Sequence, residues 1–177
     1  MTREIEIKLW YNNKEELVAH LNKLGAKFIK KTILKDIYLH NDKVLVPYEI
    51  LRLREDAGKF ELTFKGNMNK DTNVWNRKEI TAKVHSKEEV LALLDCLGFK
   101  ITSNITDDRE FWELDGVEIH FLSKVSANVP RTDYLEIEGP TEEEVNQMVE
   151  RLKPHVRIVT KEETHKFAKK SGVYKNK

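Results

Sequence analysis

The sequence predicts an α+β protein built on a closed, eight-stranded antiparallel β-barrel with helices packed on its outer side and with two similar half-units. One observation behind this prediction is the alternation of charged and apolar residues in Glu4-Ile5-Glu6-Ile7-Lys8. Alternate side chains of a strand point to opposite faces, so the charges share one face. The same pairing of charges recurs at residues 51–54, 62–65, 77–80 and 135–138. In a single segment such charges could face solvent on a half-buried sheet, but five segments favour a shared charged lumen.

The second observation is an internal repeat. Residues 86–100 match residues 13–27 from the Lys-Glu-Glu start to the Leu-Gly stop. The same shift places Glu79 on Glu6 and Arg109 on Asp36, which indicates a duplicated strand-helix-strand-strand unit. We therefore expect one domain over residues 1–177, with half-units of about 1–73 and 74–160. The alternative is that two unrelated helices share the same start and stop signals by chance.

Local signals place the individual elements between these landmarks. Asn12 and Asn13 offer an N-cap and Gly25 a left-handed C-cap, which predicts a helix over residues 13–24. The predicted elements that follow are a strand at 28–39, a loop or edge at 44–48, a hairpin of 50–54 and 60–65, a polar loop at 66–73, a strand at 74–84, a helix from Ser86, a third helix from Thr141 to before Pro154, and a C-terminal helix at 161–172.

Composition sets the outer bounds. The chain has 177 residues, and 40% hydrophobic and 34% charged content suits one globular domain with a real core. The net charge of +1 and the mixed charges of the basic C-terminal segment make nucleic-acid binding an unlikely function. No apolar run approaches the roughly 18 residues of a membrane span, and no signal-peptide core follows Met1, so we expect no membrane partner and a cytoplasmic location. A homodimer is left open. The single cysteine, Cys96, is expected to be a packed small side chain.

The charged faces would together line the lumen of the barrel. Burying so many charges is tolerable only if acids and bases compensate one another and if ligands complete the neutralisation. Such a lumen suits a polyanion that is carried with divalent cations. Its expected residues are the acids Glu4, Glu6, Glu79, Glu136 and Glu138 and the bases Lys8, Arg52, Arg54, Lys65, Arg77 and Arg109.

In its residue order, the chain resembles the CYTH superfamily of triphosphate tunnel metalloenzymes, which includes class IV adenylyl cyclases and thiamine triphosphatases. The N-terminal Glu-x-Glu-x-Lys is the family signature, and residues 36–38, 51–54, 62–66, 77–79, 97–99, Arg109 and 135–138 follow in family order. The resemblance implies an eight-stranded antiparallel tunnel, dependence on Mg²⁺ or Mn²⁺, and a small-molecule triphosphate such as ATP as substrate.

The resemblance and the needs of phosphoryl transfer together assign expected roles. Glu4, Glu6, Lys8 and Lys65 are the expected catalytic residues. The expected triphosphate-binding residues are Lys8, Arg52, Arg54, Lys65, Arg77 and Arg109, and the expected metal ligands are Glu4, Glu6, Glu136 and Glu138. Glu79 is either a further metal ligand or a residue that holds Arg77 in position.

Two departures from the family pattern bear on activity. The second-half Lys-x-Arg is replaced by Asp107-Asp108-Arg109, so one phosphate-binding cation becomes an acid. A family aspartate is replaced by Leu122 or Ser123, and Glu118 or His120 could compensate because strand parity points them the same way. The alternative for His120 is a plain lumen or surface residue.

Three functions remain open at the level of sequence. Likeness around residues 35–39 and 51–54 favours a class IV adenylyl cyclase-like enzyme that converts ATP to cyclic AMP and pyrophosphate. A triphosphatase acting on thiamine triphosphate or tripolyphosphate is the second candidate, because the same tunnel could activate water. The third is a non-catalytic nucleotide or polyphosphate binder, which the two departures favour.

Overall fold

The structure of the chain is a computed structural model that describes residues 2–46, 48–68 and 72–173. Within these ranges it contains nine strands and four helices. In chain order they are β1 (Thr2–Tyr11), α1 (Lys14–Leu24), β2 (Lys27–His40), β3 (Ile50–Asp56), β4 (Lys59–Met68), β5 (Trp75–Val84), α2 (Lys87–Cys96), β6 (Lys100–Leu114), β7 (Val117–Ser126), β8 (Val129–Glu138), α3 (Glu142–Leu152), β9 (Val156–Ile158) and α4 (Lys161–Lys170).

Strands β1 to β8 form a closed antiparallel ring. The order is β5-β4-β3-β2-β6-β7-β8-β1, and β1 also pairs with β5, which closes the barrel. Closure removes the free sheet edges that would otherwise expose unpaired backbone groups. The predicted eight-stranded antiparallel barrel is therefore confirmed.

The ring also carries the symmetry expected of a duplication. Each half supplies the order strand, helix and three strands. At the β1–β5 seam, Glu4 lies opposite Arg77, and on either side of this pair Thr2 lies opposite Glu79 and Glu6 lies opposite Trp75. The shift between the two repeats carries Thr2 onto Trp75 and Glu6 onto Glu79, so it exchanges the two flanking pairs. This exchange supports the repeat found in the sequence, while the half-unit boundaries near residues 73 and 74 stay a prediction.

The outer side of the barrel holds the main apolar core, which packs under α1 and α3. Ile7 and Leu9 of β1 are 1% and 0% exposed, and they join Leu17 and Leu21 of α1 in one cluster. Helix α3 adds Val145, Met148, Val149 and Leu152 to it. A second cluster lies at α2, where Leu94 packs with residues of β2 and β3. Helices therefore pack on the outside, as predicted, and none in the described part of the chain is long and apolar enough to cross a membrane.

The helices cover only part of this outer side. Ile29 and Ile33 of β2 are 54% and 58% exposed, and Val125 of β7 is 46% exposed. Cys96, at the end of α2, is exposed as well, so the expectation of a packed thiol is wrong. The helical pattern around Cys96 holds, but α2 buries Leu94 and turns the cysteine outward.

Two further details differ from the sequence prediction. The polar loop expected at 66–73 begins later, because β4 continues to Met68 and pairs with Arg77 of β5 beyond a bulge. Residues 69–71 and Pro47, which supported the loops, lie outside the described residues. The short strand β9, which pairs with residues 9–11 of β1, was not predicted, since three residues carry almost no periodic signal.

Candidate active site

The inner side of the barrel forms a cavity of about 280 Å³ that is lined mainly by charged side chains. All eleven charged residues that the sequence placed in the lumen line this cavity. They are Glu4, Glu6, Lys8, Arg52, Arg54, Lys65, Arg77, Glu79, Arg109, Glu136 and Glu138. Helix α4 contributes Thr164, Phe167 and Ala168 to the lining. The structure thus brings the predicted residues together, and it places the C-terminal helix against the same space.

Glu4 is the centre of an ion-pair network between β1, β4 and β5. Its carboxylate accepts a hydrogen bond from Lys65 and one from Nε of Arg77 at 2.7 Å. The Lys65 ammonium also lies 2.9 Å from Oε2 of Glu79. Burial alone would raise the pKa of Glu4, but the attraction of Lys65 and Arg77 outweighs it and lowers the pKa well below its usual value. Glu4 is therefore ionised in the folded protein.

Lys8 bridges two carboxylates across the β1–β8 pair. Its Nζ lies 2.6 Å from Oε1 of Glu6 and 2.6 Å from Oε1 of Glu136. The Arg109 guanidinium reaches the other oxygen of Glu136 at 3.4 Å. Burial tends to lower the pKa of Lys8, but Glu136 and Glu6 raise it by more, so the ammonium keeps its charge. Lys8 thus couples a predicted metal ligand of β1 to one of β8.

Asp36 holds the two arginines of β3, and the sequence did not single it out as a site residue. Its carboxylate is 1% exposed and accepts two hydrogen bonds of 2.7 Å from Nε and Nη2 of Arg54. Arg52 lies 3.9 Å from the same carboxylate. Burial raises the pKa of Asp36, but Arg52 and Arg54 overcome this effect and hold the pKa below its usual range. The signal in the sequence was parity, since Asp36 and Tyr38 alternate with apolar residues of β2.

An excess of negative charge lies where β7, β8 and β1 meet. Glu138 lies directly opposite Glu6 on one side and Glu118 on the other. Like charges in such pairs repel one another. Burial, followed by the charges of Glu6 and Glu4, raises the pKa of Glu138 to about 8. In the described ranges no ion pair is recorded for Glu138, so this corner favours a cation.

The donor atoms at this corner fit a divalent metal ion. One ligand atom from each of Glu118, His120 and Glu138 can be chosen so that all three lie within 4.8 Å of one another. Nε2 of His120 lies 2.8 Å from Oε2 of Glu118. Carboxylate oxygens are the ligands that Mg²⁺ and Mn²⁺ prefer, and neutral imidazole also suits Mn²⁺. His120 is 4% exposed and lines the cavity, so it is a lumen residue and not a surface residue, and its role as a metal ligand stays a prediction.

The two departures from the family pattern have distinct surroundings. Asp107 is fully buried and accepts hydrogen bonds of 3.0 and 2.7 Å from Nε and Nη2 of Arg109. Asp107 therefore holds Arg109 in position, in addition to replacing the positive charge that the family has there. Leu122, one of the two residues expected to replace the family aspartate, lies opposite Arg109 and Tyr134 and is 1% exposed.

Sequence reasoning missed one cation of the lumen, Lys124 of β7. It lines the cavity together with Glu118 and His120. All three have the same parity, and extending the alternation by four residues from His120 would have found it.

The charges are distributed unevenly around the lumen. Strands β3, β4 and β5 present a mainly cationic wall, in which Glu79 is also found, and strands β1, β7 and β8 present a mainly acidic wall, in which Lys8 and Lys124 are also found. The cationic wall consists of Arg52, Arg54, Lys65 and Arg77, and the acidic wall of Glu6, Glu118, Glu136 and Glu138. One wall can bind phosphate oxygens while the other holds metal ions, which defines a tunnel protein for a metal-bound polyanion.

The comparison with protein families agrees with this class. The CYTH domain matches residues 2–170, and the chain belongs to the CYTH family. CYTH proteins are triphosphate-processing enzymes that depend on divalent metal ions. The resemblance found in the sequence is thereby confirmed.

Individual relatives support the same family. A protein of Methanocaldococcus jannaschii named "Putative adenylate cyclase MJ0240" is 36% identical over 118 residues, and the match spans 65% of this chain and 66% of that protein. Among solved structures, the PH1012 protein of Pyrococcus horikoshii is 25% identical with a TM-score of 0.71, covering 87% of this chain and 94% of that chain.

A plant protein has the same fold at lower identity. HpAC1 of Hippeastrum is 16% identical with a TM-score of 0.64, and the match covers 98% of this chain and 91% of that chain. HpAC1 is named an adenylyl cyclase, and its dominant activity is that of a triphosphatase. At this identity the likeness concerns the fold alone.

Proposed function

We propose that this protein is a divalent-metal-dependent enzyme that processes a triphosphate inside its tunnel. The observation that carries the proposal is the pair of opposed walls, one cationic and one acidic, around a single cavity. The reaction we favour is that of a class IV adenylyl cyclase, in which ATP yields cyclic AMP and pyrophosphate. The name of the relative at 36% identity supports this choice.

The cations of the tunnel would bind the triphosphate. Arg52, Arg54, Arg77 and Arg109 can each hold two phosphate oxygens, while Lys8 and Lys65 act as point charges. In the structure these side chains bind carboxylates at distances of up to 3.9 Å. The carboxylate contacts orient the side chains toward the lumen before substrate enters. Phosphate oxygens would replace part of these contacts.

The carboxylates released in this exchange, together with Glu138, which forms no ion pair with a described residue, would hold the metal. Glu4, Glu6, Glu136 and Glu138 are the proposed ligands, and Glu79, which contacts Lys65, is a further candidate. A metal ion bound there supplies charge neutralisation and polarises a phosphoryl oxygen. Lys8 and Lys65 then stabilise the charge that develops on the phosphate oxygens, because each lies beside both a carboxylate and the cavity.

Hydrolysis of a triphosphate is the second candidate. Cyclisation and hydrolysis differ in the attacking group, a ribose 3′-hydroxyl on the α-phosphorus or water on the terminal phosphorus. Both need the same neutralised triphosphate. The charges of the described lumen residues would bind phosphate groups, and this binding would support attack by either the ribose hydroxyl or water.

Product analysis tests the proposal. Purified protein is incubated with ATP, thiamine triphosphate or tripolyphosphate and with Mg²⁺ or Mn²⁺, and the products are separated by chromatography. Cyclic AMP with pyrophosphate identifies the cyclase, and released orthophosphate identifies the triphosphatase. Binding without turnover for every substrate would mean that the protein is a non-catalytic polyphosphate binder and not an enzyme. Absence of both binding and turnover would overturn the proposal.

A further inference from the structure

Lys124 differs from the other cations of the tunnel in its surroundings. Lys8, Lys65, Arg77 and Arg109 each lie within 4.0 Å of a carboxylate, and Arg52 and Arg54 share Asp36. Within residues 2–46, 48–68 and 72–173, no carboxylate lies within this distance of the Lys124 ammonium. Its Nζ lies 5.4 Å from the centroid of the Tyr134 ring.

The acids nearest to Lys124 already bind other cations. Asp107, which lies opposite Lys124 across β6 and β7, accepts hydrogen bonds at its Oδ2 from Nε and Nη2 of Arg109. Glu136 is shared between Lys8 and Arg109. Burial lowers the pKa of Lys124, and this effect outweighs the attraction of Glu136 and Asp107. The charge of Lys124 is therefore incompletely compensated within the protein.

The ammonium also acts across the lumen on the cationic wall. Its positive charge contributes to the low pKa of Asp36, the carboxylate that carries Arg52 and Arg54. Lys124 also lines the same cavity as Arg52 and Arg54. A phosphate group between them would receive hydrogen bonds from both sides of the tunnel.

We propose that Lys124 is a further phosphate-binding residue of the tunnel, donating N–H bonds from β7 to the same triphosphate that the cationic wall holds. The proposal rests on the proposed function and adds a residue to it. An ammonium offers three donors without a fixed plane, which suits a phosphate oxygen approached from the side opposite the arginines. The cation lost where Asp107 stands is thereby supplied from the neighbouring strand.

Calorimetric titration of tripolyphosphate in the presence of Mn²⁺ tests this assignment. We expect Lys124→Met to weaken binding by about 10- to 100-fold, the loss of one charge-assisted hydrogen bond. Lys124→Arg keeps a cation and should stay within about threefold of wild type. The matched control is Lys35→Met, which removes an exposed lysine from the outer face of β2, where it pairs with Glu55, and should leave affinity unchanged.

The thermal midpoint of the ligand-free protein separates binding from a structural role. Removing an incompletely compensated lumen charge should raise the midpoint of Lys124→Met, although the variant binds more weakly. A lowered midpoint, or an affinity equal to that of wild type, would overturn the assignment of Lys124. If wild-type protein does not bind tripolyphosphate at all, the proposed function fails and this proposal falls with it.

Discussion

Single residues of this tunnel serve two purposes, because three of the candidate metal ligands, Glu4, Glu6 and Glu136, also neutralise lumen cations. Glu4 compensates Lys65 and Arg77, and Glu6 accepts a hydrogen bond from Lys8. Truncating such an acid to alanine would leave buried cations without a partner and would confuse a loss of activity with a loss of stability. Isosteric amides separate the two effects.

The first prediction concerns Glu6. We expect Glu6→Gln to lower metal-dependent turnover by more than about 100-fold, because an amide is a much weaker ligand for Mg²⁺ or Mn²⁺ than a carboxylate. Steady-state rates at several metal concentrations measure the effect, and circular dichroism checks the fold. The control is Glu88→Gln, an exposed acid in the first turn of α2. Wild-type rates with unchanged metal dependence would exclude Glu6 as a ligand.

The second prediction concerns the buried pair of Asp36 and Arg54. Replacing Asp36 by asparagine leaves Arg52 and Arg54 without their carboxylate, so we expect the free energy of unfolding at pH 7 to fall by about 3 kcal/mol. Urea titration measures the change. Asp95→Asn is the control, because Asp95 pairs with Lys100 at the surface, where both side chains are more than half exposed, and should change stability by less than about 1 kcal/mol.

The same pair predicts a pH dependence. The folded-state pKa of Asp36 lies below the value of about 3.9 expected in the unfolded chain. Its contribution to stability is therefore fully present above that pH and is lost as the pH falls toward the folded-state pKa. The stability difference between wild type and Asp36→Asn should narrow when urea titrations are repeated at pH 5, 4 and 3. A constant difference over this range would contradict the ionised pair.

At the scale of elements, α4 links the C-terminal segment to the tunnel. The helix begins with a capping box of Thr160 and Glu163. At its end, Val173 donates a backbone hydrogen bond to Ala168, and the side chain of Ser103 in β6 donates to the carbonyl of Ser171. These contacts hold Phe167 and Ala168 against the cavity. The end of α4 therefore determines how this part of the lumen is lined.

The third prediction tests that contact through Gly172. Its φ of +78° is unfavourable for other residues, and an added Cβ would lie 2.5 Å from the carbonyl oxygen of Thr102. We expect Gly172→Ala to destabilise the protein by at least about 2 kcal/mol more than Gly58→Ala. Gly58 has a similar φ of +79° but no atom within 4 Å of the added Cβ, so it isolates the effect of the clash.

Chemical denaturation of both glycine variants measures the difference. Hydrogen exchange should localise the loss in Gly172→Ala to α4 and to the start of β6. Equal destabilisation of the two variants would mean that only the backbone conformation matters and that α4 is not held against β6 at this point.

At the scale of the whole molecule, the barrel is an inverted design, with its apolar core outside the ring and its charges inside. The outer clusters under α1, α2 and α3 supply the hydrophobic stabilisation. The lumen instead holds many opposed charges whose desolvation is only partly offset by pairing. A ligand that brings both anion and cation should therefore contribute strongly to stability.

The fourth prediction is a synergy between metal and triphosphate. We expect the thermal midpoint to rise by several degrees with tripolyphosphate plus Mn²⁺, and by more than the sum of the shifts with either alone. A ligand that binds only the folded state at a hundredfold excess over its Kd adds about 2.7 kcal/mol. Thermal scans with all four combinations measure it. Purely additive shifts would mean that the metal ion and the triphosphate bind at independent sites.

Local signals in the sequence determined much of this protein. The alternation in residues 4–8 identified the lumen face, and Asn13, Gly25 and the Leu-Gly stop at 97–98 located helix boundaries. Such features depend on neighbouring residues, because strand parity and helix caps are local geometry. They sufficed for the fold class, the outward position of the helices and most of the charged residues that meet in the cavity.

The tertiary structure alone decided how these charges are paired. That Asp36 lies opposite Arg54 and that Leu122 lies opposite Arg109 both depend on strand register around a closed ring. The partners on different strands lie far apart in sequence, and register and tilt are properties of the whole sheet. For the same reason, only the folded chain showed that the Lys124 ammonium has no carboxylate within 4.0 Å among the described residues.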